Sequence, residues 1–169
     1  HQYLLDMVAI NSVNPTLEVD GGGEGAMTSY IVDQIRDPRI ELNIDQIEPG
    51  RFNVIARIPG TGGGRSLMLN AHMDTVGVAG MTDPFDPREE DGKVYGRGVY
   101  DMKASIAACM GAFQAILNSN TNLSGDLLLT LSADEEYASI GTQDLVEKYT
   151  ADAVIVTEPT ELGICLAHK

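Results

Sequence analysis

The chain has 169 residues, 43% hydrophobic and 21% charged, with 18 glycines, 11 basic against 25 acidic side chains and a net charge of −14. That length suits one domain able to bury about 70% of its unfolded surface without staples, and the acidity leaves no basic patch for nucleic acid or an anionic membrane. No apolar run approaches the roughly 20 residues of a membrane helix, and Cys109 and Cys165 sit in apolar surroundings as small buried hydrophobes, not as a disulfide framework. Bound divalent cations would neutralise part of the acidity. The chain starts at His1, so a removed leader stays open; the cytoplasm is the expected location.

Residues 2 to 10 have helical spacing and stop before Asn14-Pro15, because proline disfavours the α region in the residue before it. A glycine-rich loop then opens a second helix near Glu24, whose Met27, Ile31 and Ile35 mark one buried face. From Ile40 the period becomes two: IELNIDQI and NVIARI are strands, and SLMLNA follows the PGTGGGR connection as a third. That glycine run is no phosphate-binding loop, since the GK[ST] ending and the following helix are missing.

Residues 77 to 100 read as one long irregular segment rich in Gly, Pro and Asp, of the kind that is disproportionately functional inside compact domains. A helix from Met102 to about Asn118 buries the stripe Met102, Ile106, Cys109, Met110, Phe113, Ile116 and Leu117. Strand DLLLTLSA, helix GTQDLVEKY, strand AVIVT and a strand-like GICLAH complete the chain. Strands apolar on both faces alternating with helices predict an α/β domain with a mixed, largely parallel central sheet flanked by helices.

In such sheets sites form at the carboxyl ends of the strands. SLMLNA ends in His72-Met73-Asp74, LLLTLSA in Asp134-Glu135-Glu136 and AVIVT in Glu158, while the long segment delivers Asp101 at the start of its helix. Each residue alone has an ordinary explanation: a satisfied buried histidine, a helix N-cap, a turn, or acidic residues opening a helix. Together they require that accident at every strand end, so a metal centre is the better reading. Asp74, two residues from His72, is placed to orient its imidazole, with direct ligation as the alternative. Adjacent glutamates point apart, so Glu136 is read as a ligand and Glu135 as a base with a raised pKa.

NAHMDTV at 70–76, GRGVYDMK at 96–103, ADEE at 133–136 and TEPT at 157–160 make the chain resemble the zinc-dependent M20 peptidases, a family that includes acetylornithine deacetylase, succinyl-diaminopimelate desuccinylase, aminoacylase and glutamate carboxypeptidases. The resemblance implies two divalent metal ions, zinc or else cobalt or manganese. His72 and Glu158 would bind one, Glu136 the other, with Asp101 bridging both, Asp74 orienting His72 and Glu135 acting as general base. Gly77 stands where the family often has proline and Ala104 where it often has glycine; neither removes a ligand. The family's last metal-binding histidine has no counterpart, since His168 resembles an AHKG segment instead.

The resemblance therefore implies that residues 1–167 are the N-terminal part of a truncated catalytic domain and 168–169 the start of the crossing to a dimerisation domain, the full-length protein being a homodimer. The expected activity is hydrolysis of the amide of an N-acyl amino acid, of the acetylornithine or succinyl-diaminopimelate type. A dipeptidase or carboxypeptidase acting on short peptides and a non-catalytic metal-binding domain are the alternatives. The isolated chain is expected to be poorly active or inactive.

Overall fold

The computed structural model describes residues 1–119, 121–161 and 163–164. Cys165, His168 and the crossing at 168–169 lie outside the described residues, as does all of GICLAH except Gly163-Ile164, which carry no regular structure. Among the described residues, the α-helices α1 Gln2–Val8, α2 Gly25–Ile35, α3 Ala104–Asn118 and α4 Ile140–Lys148 accompany β1 Glu41–Glu48, β2 Arg51–Ile58, β3 Leu67–His72, β4 Arg88–Glu90, β5 Lys93–Tyr95, β6 Leu127–Ser132 and β7 Ala153–Val156. A π-type turn, Val99–Lys103, leads into α3, so the helix expected from Met102 becomes regular only at Ala104.

The segment expected to be irregular contains the β4–β5 hairpin. Its turn is Asp91-Gly92, with φ of 49° and 73°, the left-handed pair that two-residue hairpins favour. Both strands are three residues long, and β4 is exposed throughout, so no apolar alternation announces them.

The main sheet is mixed, in the order β1-β2-β6-β3-β7. β1, β2 and β6 pair antiparallel, whereas β3 lies parallel between β6 and β7. β6 is central and buried along its whole length. One face, carrying Val54, Ala56, Leu129, Leu131 and Ala71, packs against Met7 of α1, Met27 and Ile31 of α2, and Ile106, Met110 and Phe113 of α3. The other face carries Asn53, whose side chain donates to the Gly141 carbonyl of α4 at 2.9 Å.

Helices were expected to cover the strands on both faces; β7 departs from that. Val154 is 50% and Val156 57% exposed, β7 lying at the edge of the sheet. Among the described residues no helix is long and apolar enough to cross a membrane.

Candidate metal centre

Because β3, β6 and β7 run parallel, their carboxyl ends lie along one edge of the sheet. β3, in the middle, ends on His72; β6 continues into Ala133-Asp134-Glu135-Glu136 on one side and β7 into Thr157-Glu158 on the other. Asp101 arrives from the π-type turn, where Asp101 (φ −126°, ψ 99°) and Met102 (φ −135°, ψ 37°) leave the helical path.

These elements bring the side chains together. Ligand atoms of His72, Asp101 and Glu158 all lie within 4.8 Å of one another. His72 Nε2 is 3.0 Å from Asp101 Oδ1, 3.6 Å from Glu158 Oε1 and 3.8 Å from Glu135 Oε2. Glu136 is not one of the three; its backbone N–H donates to Asp74 Oδ2 at 3.2 Å.

His72 is nearly fully buried, and its orientation is fixed from behind. Nδ1 lies 2.9 Å from the Asp74 carbonyl and 3.5 Å from Asp74 Oδ1. A carbonyl only accepts, so Nδ1 carries a proton, and Nε2 faces the carboxylates. The short contact thus runs to the Asp74 main chain. Its carboxylate chiefly receives the backbone N–H of Glu135 at 3.0 Å and of Glu136 at 3.2 Å, and the Asn14 amide at 2.7 Å. Burial alone would raise the Asp74 carboxyl, but His72, Asn14 and the Glu135 N–H hold it below the usual carboxylate range.

The approach to Asp101 is secured by Lys103, a fully buried lysine whose Nζ donates to the Ile10 carbonyl at 2.8 Å. Burial, with Arg97 nearby, pushes its ammonium down to about 7. Gly98 has φ +78°, and a Cβ there would meet Thr75 Cγ2 at 2.7 Å and Lys103 Cδ at 3.1 Å, so only glycine fits this turn. Gly77 is similarly close to Glu18, whose Oε2 accepts the Val78 N–H at 3.0 Å and would lie 2.5 Å from an added Cβ.

One imidazole nitrogen among several carboxylate oxygens is a donor set suited to zinc and to other divalent cations. The crowding of negative charge agrees with that fit. Burial, followed by Asp101, Asp74 and Glu135, pushes the Glu136 carboxyl up to about 7 against the opposing pull of His72. Glu136, read as a ligand, is half-buried, whereas Glu135, read as the base, is exposed. Burial opposes a charge on His72, yet the hydrogen bonds it donates to Asp101 and Asp74, with Glu158 nearby, raise it to about 11. The protein groups are holding protons where a cation would supply the charge.

Sequence reasoning missed the support beneath this cluster. Asp134 sits in the left-handed region, φ +62°, and is not aimed at the metal-type ligands. Its Oδ1 accepts from Arg51 Nη1 at 2.7 Å and from Asn14 at 2.9 Å, and its Oδ2 accepts the Ala138 N–H ahead of α4 at 3.2 Å. Arg51 also pairs with fully buried Glu24. The only signal for this network was polarity at buried-strand and loop positions, which does not identify partners.

A mixed α/β sheet with a histidine and carboxylates gathered at its parallel strand ends defines a candidate metallohydrolase centre. The chain belongs to peptidase family M20/M25/M40, whose model matches residues 68–166. It is 36% identical over 135 residues to the N-formyl-4-amino-5-aminomethyl-2-methylpyrimidine deformylase of Halalkalibacterium halodurans, covering 75% of this chain and 32% of that protein. It is 31% identical over 175 residues to a protein of Staphylococcus aureus named "Probable succinyl-diaminopimelate desuccinylase", covering 99% of this chain and 42% of that protein. Human carnosine dipeptidase 1 shares the fold with a TM-score of 0.76 at 21% identity, covering 93% of this chain and 37% of that one. A dinuclear metal-binding peptidase of the M20 family from Bacillus subtilis gives 0.66 at 19% identity, covering 92% and 41%. The chain therefore spans less than half the length of these relatives.

Proposed function

We propose that this chain carries the metal-binding half of a hydrolase that cleaves the amide of a small N-acyl compound, with an N-acyl amino acid of the succinyl-diaminopimelate or acetylornithine type as substrate. The observation that carries the reading is the convergence of His72, Asp101 and Glu158 at the ends of parallel strands, with Glu135 3.8 Å from His72 Nε2. The desuccinylase likeness over 99% of the chain supports the substrate class.

In this reading His72, Glu158, Glu136 and Asp101 would hold two divalent ions, zinc by the donor set. When bound they polarise the amide carbonyl and lower the pKa of water from 15.7 to about 7. Glu135 accepts a proton from the attacking water and returns it to the leaving amine. Asp74 holds the His72 ring, presenting Nε2 to the metal. The remaining ligand, the cover over the substrate and a dimer interface belong to a longer, cytoplasmic polypeptide in which residues 1–167 are the first part of the catalytic domain.

Zinc titration of this chain beside Asp101→Ala tests the site: uptake of one or two ions, lost in the variant, is expected, and equal uptake by both would refute it. In the longer polypeptide, Glu135→Ala should keep zinc and lose hydrolysis of N-succinyl-diaminopimelate and N-acetylornithine. Retained turnover would remove the base from Glu135.

A further inference from the structure

We infer that Asn14 is a positioning residue for the Glu135–Glu136 turn and acts through Asp74; the inference rests on the roles proposed above for those two glutamates. Asn14 is fully buried, and its amide nitrogen spends both hydrogens on carboxylates, Asp74 Oδ2 at 2.7 Å and Asp134 Oδ1 at 2.9 Å. These are the two acids that flank the turn. Asp74 receives the N–H of Glu135 and of Glu136, one on each oxygen, and Asp134 immediately precedes them in the chain.

Asn14 is itself held from several directions. Its N–H donates to the Thr75 carbonyl at 2.9 Å, its carbonyl accepts from Leu17 and Glu18, and its Oδ1 accepts the Thr16 N–H at 3.0 Å. A neutral double donor therefore joins the strand end bearing His72 to the turn bearing the two glutamates. Without it, two buried carboxylates would face each other unscreened. Asp134 retains Arg51 on its other side, whereas among the described residues no lysine or arginine pairs with the Asp74 carboxylate, so the Asp74 link is the one that fails.

Asn14→Asp isolates this role, because it preserves the shape and the oxygen that accepts from Thr16 while removing both donated hydrogens. In the metal-free chain, amide hydrogen exchange read by NMR should speed up at least about tenfold at Glu135 and Glu136 while Thr16, Glu18 and the β6 amides keep their wild-type rates. Asn14→Ser, which adds no charge, should show the same pattern more weakly and decides the matter if the aspartate variant does not fold. Zinc affinity should fall about 10- to 100-fold, the range typical of residues that orient ligands. Unchanged exchange at Glu135 and Glu136 in a folded variant, or acceleration spread evenly over the chain, would overturn the role. Failure of the wild type to bind zinc would instead overturn the proposed function, and the two amides would still decide the role of Asn14.

Discussion

Two arginines on β2 make a controlled comparison of what burial does to an ion pair. Arg51 meets Glu24 and Asp134 with side-chain exposures of 6%, 0% and 2%; Arg57 meets Glu41 and Asp126 with exposures of 40%, 57% and 32%. Each guanidinium serves two carboxylates, so solvent is the main difference. Exposed pairs contribute about 0–1 kcal/mol, since water already solvates the charges. Removing one partner of a buried pair costs about 3–5 kcal/mol, because the remaining charge is left without water or counter-ion.

Arg51→Met should therefore cost about 3–5 kcal/mol and Arg57→Met no more than about 1 kcal/mol. For a domain of this size 1 kcal/mol moves Tm by about 2–4 °C, which gives a fall of about 6–20 °C for the first and at most about 4 °C for the second. Urea and thermal melts of both variants, monitored by circular dichroism, make the measurement. Adding Glu24→Gln to Arg51→Met should recover part of the loss by removing one stranded charge. Equal losses at the two positions, or a loss below about 1 kcal/mol at Arg51, would refute the argument.

The raised Glu136 carboxyl, at about 7 against 4.5, means that the folded metal-free chain binds more protons there than the unfolded chain, so stability should fall as pH rises from about 4.5 to 7. His72, raised from 6.5 to about 11, continues the decline above 6.5, and Glu136→Gln should flatten the limb between pH 5 and 6 in melts with chelator; parallel curves would refute the assignment. At pH 7 zinc uptake should release between one and two protons, one from His72 and about half from Glu136, read by calorimetry in buffers of different ionisation enthalpy. Gly141→Ala would drive a Cβ to 2.4 Å from the Ala133 carbonyl, so α4 must shift from the end of β6, at about 1–3 kcal/mol in a urea melt. Ile155→Lys on the exposed β7 edge should reduce concentration-dependent association in sedimentation velocity, since an uncovered apolar edge strand templates pairing.

The sequence made the strand ends legible for a physical reason. A buried strand is a contiguous apolar run, and where the run stops the next polar residues must emerge at the sheet edge; three such runs in a parallel arrangement leave little choice about which residues meet. His72, Glu135 and Glu158 followed from that alone. What lies beneath them did not. Asn14 reaches Asp74 across 60 residues and Asp134 across 120, and Arg51 reaches Asp134 across 83, contacts that no local periodicity encodes. The β4–β5 hairpin was missed although Asp91-Gly92 marks its turn, because β4 is exposed throughout and three-residue strands are too short to show an alternation. The raised Glu136 carboxyl could not be read from the sequence, because enclosure by neighbouring elements is its main cause and enclosure is a property of the assembled site.

Three adjacent carboxylates at the end of a buried strand can be tolerated only if each finds a positive group, a proton or water. Asp134 finds Arg51 and the N–H groups ahead of α4, so the ordinary explanation, acid at a helix start, holds for this one residue. Glu135 and Glu136 donate their main-chain N–H groups to Asp74 and leave their own oxygens among Asp101, Asp74 and the His72 ring. Burial, then the neighbouring carboxylates, push Glu136 up to about 7 against His72, whose imidazole is already shared with Asp74 and Asp101. The chain thus compensates Asp134 internally and leaves Glu136 under-compensated at the edge where Glu158 also ends its strand. That asymmetry supports a bound cation more strongly than the number of carboxylates does, because a merely solvated acidic turn would have no reason to treat its neighbours so differently.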